Sequence, residues 1–123
     1  DRAEQEVQVQ APSTPPDAEA FFQAEFVRAL FQRAVGETRE ELERTGRGVH
    51  FTLFERYDLD PAEAVSYGAL AAEFGLTESQ VTNHLSLARR TFRANALGAL
   101  RGLCGTDDEF RREARELFGM EVD

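Results

Sequence analysis

Lysine is absent from the chain, and all 14 of its basic residues are arginines. That bias is consistent with GC-rich coding and excludes no function by itself. Cysteine is scarce. Cys104 stands alone, which rules out an intrachain disulfide or a thiolate cluster for a metal and fits a reducing, cytoplasmic setting. Set among Leu100, Leu103 and Gly105, it reads as a small buried apolar side chain. The two histidines, His50 and His84, lie far apart, with no Cys or carboxylate at ligand spacing to support a metal. No apolar run approaches the roughly 18 residues that span a bilayer, and no charged-then-apolar leader opens the sequence, so no membrane partner is expected.

Catalytic patterns are missing too. There is no glycine-rich phosphate loop and no Ser-His-Asp arrangement. DLDPAE (Asp58 to Glu63) looks like a carboxylate cluster but lacks the glycine turn and the regular oxygen ligands of a cation loop. It reads instead as helix punctuation, with Asp60 as cap, Pro61 at the first helical position and Glu63 at the third. No enzyme, cofactor or metal is expected.

With 123 residues, 41% of them hydrophobic and 30% charged, the chain suits one soluble domain. A longer parent protein is expected, since Asp1 rather than Met opens it. The net charge of -9 argues against binding nucleic acid through bulk electrostatics, but its distribution is uneven. Residues 1–76 carry 15 acids and 7 arginines, and residues 104–123 carry 7 acids and 3 arginines. Between them, residues 77–103 carry 1 acid and 4 arginines, the one positive segment.

Residues 1–17, with three prolines and three glutamines, read as a tether. From Ala18 the pattern turns helical. Phe21, Phe22, Phe26, Leu30, Phe31 and Val35 recur at helical spacing, Asp17 is placed to cap, and Gly46 with Gly48 ends the helix after about Arg44. A second helix from about Val49 carries Phe51, Leu53, Phe54 and Tyr57, an aromatic stripe read as core. A short third helix, Tyr67 to Phe74, has Ser66 available as cap. Thr77-x-x-Gln80 and Thr106-x-x-Glu109 are capping boxes that open the fourth and fifth helices, the last running through Phe118 to Gly119. No strand-period segment of useful length is found, so an all-α, five-helix bundle is expected, its domain spanning residues 18–119.

Residues 66–93 fit a helix-turn-helix. Gly75 supplies a left-handed backbone angle, Leu76 plugs the core, and Ala71 is small where two helices must cross. At about 100° per residue, Val81, Leu85, Ala88 and Phe92 share one sector. Ser79, Thr82, Asn83, Ser86, Arg90 and Arg93 hold the opposite one, with Arg89 on its edge. Short polar residues come first and arginines follow, which suits a helix entering the major groove N-terminus first, with arginines meeting phosphate. Asn83, and also Gln80, have the chemistry to pair adenine through two bonds, and His84 lies where it either touches DNA or flanks a neighbouring helix. An ordinary solvated face accounts for Arg89 to Arg93 near a helix end. It does not account for the lack of the glutamates that fill the other exposed faces. Beyond Phe92 the apolar phase slips at Leu97 and Leu100: either the helix bends, or it exposes a second apolar surface that the last helix covers.

The stretch SYGALAAEFGLTESQVTNHLSLARRTFR resembles the fourth domain of bacterial RNA polymerase sigma factors of the sigma-70 family, most of all the extracytoplasmic-function (ECF) group. Shared features are Ser-Tyr-x-x-Leu-Ala, the Gly-Leu turn, the capped Thr-Glu, Val, and Ala-Arg-Arg. The preceding long helix and the C-terminal extension helix (residues 106–118) are similar to parts of some members. The resemblance implies recognition of the minus-35 promoter element through Thr77 to Arg93, with Thr77, Ser79, Gln80, Thr82, Asn83, His84, Ser86, Arg89, Arg90 and Arg93 as the DNA-facing set. It also implies docking on the flap of the polymerase β subunit, and it admits an anti-sigma factor as a regulatory partner. Family members often carry Lys or Arg where this chain has Thr82 and His84. That departure favours a rival reading, a sigma-like module that binds protein without reading DNA. A stand-alone dimeric helix-turn-helix repressor is a second rival.

Overall fold

This computed structural model describes residues 16–60 and 64–119, whose regular structure is all helical, with no strand among them. Five α-helices follow in order: α1 (Pro16–Arg44), α2 (Gly48–Phe54), α3 (Tyr67–Phe74), α4 (Glu78–Arg101) and α5 (Asp107–Phe118). A single π-helical turn, Glu55–Leu59, continues α2. None of these helices is long and apolar enough to cross a membrane.

The punctuation is mostly where residue chemistry puts it. α1 starts slightly earlier than expected, with Pro16 as its first residue, where a missing N–H costs nothing and a fixed φ is already helical. Asp17 therefore lies in the first turn, favoured by the helix dipole, and is not the cap. The tether expected over residues 1–17 accordingly loses its last two residues to α1, and residues 1–15 lie outside the described residues. Gly46, at φ 76°, ends α1, and the Arg47 N–H donates back to the Leu42 carbonyl at 2.6 Å. Gly48 is not part of that stop; it opens α2. Ser66 caps α3 by accepting from the Ala69 N–H at 3.0 Å. The Pro61 and Glu63 positions of the expected Asp60 cap motif lie outside the described residues.

Two apolar clusters share α4. In the first, Val81, Leu85 and Ala88 of α4 meet Leu42 of α1, Phe51, Leu53 and Phe54 of α2, and Leu70 and Ala71 of α3. In the second, Ala99 and Leu100 meet Leu30 of α1 and Phe110 and Ala114 of α5. α4 is therefore one continuous helix to Arg101, eight residues beyond the expected recognition segment, and α5 covers its C-terminal half. The slip at Leu97 and Leu100 marks the second apolar surface, which the last helix covers, one of the two readings expected. Ala96 and Ala99 continue the Val81–Leu85–Ala88–Phe92 stripe in phase, and both are buried. α1 and α4 pack against each other, and Ala34, Ala88 and Ala96 are all buried. The fully buried Thr38 of α1 fixes the register there. Its hydroxyl donates to the Ala34 carbonyl at 2.7 Å and accepts from Asn95 Nδ2 at 3.1 Å.

Of the α2 stripe expected in the core, Phe51, Leu53 and Phe54 are buried and Tyr57 is not. Phe92 is half-buried against Phe31 and Phe54. Phe21, Phe22, Phe26 and Phe31 of α1 are exposed. Phe21, Phe22 and Phe26 lie on the first three turns of α1, ahead of Leu30, the first buried residue of that helix among those described. The box expected at Thr106 is half made: Thr106 Oγ1 accepts from the Glu109 N–H, while the Glu109 carboxylate accepts from the Gly105 N–H.

Candidate nucleic-acid interface

Three residues join α3 to α4, and their chemistry aims the second helix. Gly75 adopts φ 68°, which a residue with a Cβ reaches only with strain. The Leu76 N–H then donates to the Ala71 carbonyl at 2.9 Å, a six-residue closing bond, and Leu76 packs half-buried on the first core. Thr77 is the N-cap of α4 and its capping box is complete. Thr77 Oγ1 accepts from the Gln80 N–H at 3.0 Å, and Gln80 Oε1 accepts from the Thr77 N–H at 2.9 Å. With Val81, Leu85 and Ala88 buried on one side, the opposite side of α4 is turned outward.

On that side Ser79, Thr82, Asn83, Arg90 and Arg93 are exposed. They lie on one helix, the small polar residues on its first two turns and the arginines two turns further on, over a span of about 21 Å from Ser79 to Arg93. Glu78, in the first turn where the dipole favours an acid, is the sole acidic residue of Glu78–Arg101. The outward face therefore offers hydroxyl and amide groups followed by positive charge, a chemistry that can meet base edges and phosphates.

Four of the expected DNA-facing residues have other work, and a fifth, Ser86, is not exposed. Thr77 and Gln80 are held in the capping box, so the Gln80 carbonyl is engaged and cannot join its amide in a two-bond pairing with adenine. Ser86 is half-buried rather than outward. His84 stacks on His50 of α2, ring centroids 3.8 Å apart and planes 19° from parallel. Arg89 turns to the π-helical turn, donating to both oxygens of Asp58 at 2.8 and 3.1 Å and lying over the Tyr57 ring. Its bonds to Asp58 and, less, to Tyr67 hold the guanidinium well above its ordinary pKa. No sequence signal pointed to this partner, 31 residues away. An Arg89→Ala chain is expected to lose about 1 kcal/mol of stability in chemical denaturation, as a partly exposed two-bond ion pair does, while the salt dependence of any DNA binding stays as it was.

The histidine stack has a pH consequence. Burial, then the charge of His84 and of Arg47, pushes the His50 pKa below its ordinary 6.5. A group neutral in the folded state but protonated when unfolded contributes stability that is whole above 6.5 and is lost as pH falls through the lowered value. Melting temperature is therefore expected to fall between pH 7 and 5, and to fall less in His50→Gln.

No family model, no curated protein and no solved structure matches the chain. The outward face of α4 thus stands on its own geometry.

Proposed function

We propose that the chain is the promoter-recognition domain of an ECF-type sigma factor. In this reading α3, the Gly75 turn and α4 form a helix-turn-helix, and α4 enters the major groove of the minus-35 element. One observation carries it: the Ser79–Arg93 flank of α4 is turned outward, is free of acid beyond Glu78, and passes from small polar residues to arginine. Asn83, exposed on the second turn, is the base reader, and Arg90 and Arg93 hold phosphates. The net charge of -9 is accommodated because RNA polymerase, docked through its β flap, supplies much of the affinity. The protein then works in the cytoplasm, within reach of an anti-sigma factor, and catalyses nothing itself.

Selection of duplexes from a random library, by the chain with the polymerase flap present, tests this. Asn83→Ala is expected to relax preference at one base position by about 1–3 kcal/mol and leave the others intact. Equal loss on every sequence would remove Asn83 from base reading. The second reading, a sigma-like module that binds protein alone, is favoured by the diversion of Gln80, His84 and Arg89 to contacts within the chain. Absence of salt-dependent DNA binding in the flap-bound chain would select it.

A further inference from the structure

The row of side chains by which α1 packs does not stop where the bundle stops. Leu30, Ala34, Thr38 and Leu42, four residues apart, are all buried. Toward the N-terminus the same row reaches Phe26 and Phe22, one and two turns further, and these are 41% and 64% exposed. Over the same turns a straighter face is also set out. Glu19, Phe22, Phe26, Ala29 and Arg33, spaced three and four residues apart in alternation, fall within about 80° of one another around the helix, and all five are exposed.

We infer that this face pairs with its own counterpart on a second copy of the chain, the two α1 helices lying antiparallel. The spacing is that of a two-helix seam, with two phenyl rings at its middle whose burial removes apolar surface from water. The charges decide the partner and its direction. Glu19 stands at one end of the seam and Arg33 at the other, about 21 Å apart. Antiparallel pairing about a two-fold axis at Phe26 sets Glu19 of each copy beside Arg33 of the other and Phe22 beside the small Ala29. Parallel pairing sets acid against acid and arginine against arginine. A pattern that complements itself under a two-fold axis is what an interface between identical copies requires. Within its own chain Arg33 reaches Glu37 at 3.2 Å, an exposed pair that yields readily to a second partner. Five positions on each helix make a small interface, so the dimer is weak and depends on concentration.

Sedimentation velocity of the full chain over a range of concentrations tests this. A monomer–dimer equilibrium is expected, and Phe22→Ser combined with Phe26→Ser should leave a monomer of unchanged helicity by circular dichroism, since both rings are exposed. Glu19→Arg or Arg33→Glu alone should weaken the dimer about tenfold, each placing two like-charge pairs in the seam. The two reversals in one chain should restore it. A monomer at every concentration, the result if a different protein covers the row, would overturn the inference. So would a dimer that survives loss of both phenyls, or one indifferent to single charge reversal.

Discussion

A Leu85→Ala chain is expected to lose about 2–5 kcal/mol of stability, the largest single effect foreseen for this domain. Leu85 is fully buried in the first core, where α4 meets α2 and α3. Truncation removes apolar packing and leaves a cavity that rigid helices on three sides fill poorly. Native domains are stable by only about 5–15 kcal/mol, so a loss of this size removes much of the total. The consequence reaches the outward face, because Val81, Leu85 and Ala88 are what hold α4 with Ser79 to Arg93 facing out. Chemical denaturation followed by circular dichroism measures it. A loss below about 1 kcal/mol would mean that α4 is not anchored as described.

The second large effect concerns binding. Replacing Arg90 and Arg93 together by alanine is expected to weaken binding to all DNA sequences alike. It should also reduce the slope of log affinity against log salt by about 2, one for each phosphate that no longer meets an arginine. Both residues are exposed, and circular dichroism of the double variant checks that the fold is kept. Anisotropy titrations at several salt concentrations, with and without the polymerase flap, give the slope directly. Arg89 is the built-in contrast: adjacent in sequence and equal in charge, it is spent on Asp58 and Tyr57. If Arg89→Ala changes the slope as much as the double variant does, then the assignment of arginines between fold and phosphate is wrong.

Local chemistry was largely legible in the sequence. Capping at Ser66 and Thr77, the left-handed Gly75 and the buried Val81–Leu85–Ala88 stripe each follow from residues within one or two turns of each other. What lay beyond reading were contacts between residues far apart. Nothing in the pattern says that Arg89 meets Asp58, that His84 stacks on His50, or that Asn95 reaches Thr38. Exposure of the α1 phenyls was not legible for a related reason: helical spacing shows that residues share a face, but not whether another element lies against it. The phase slip after Phe92 left two alternatives open, and the second holds, since Leu97 and Leu100 pack under α5; that Ala96 and Ala99 also continue the first stripe was not expected.

Contact between DNA and the outward side of α4 is open to direct measurement. Isotope-labelled chain titrated with a mixed-sequence duplex at low salt, and followed by amide and side-chain chemical shifts, tests it residue by residue. The largest changes are expected at Ser79, Thr82, Asn83, Arg90 and Arg93, with Phe22 and Phe26 of α1 unmoved. Changes concentrated on α1 or α5, or none on α4 at any duplex concentration, would contradict it.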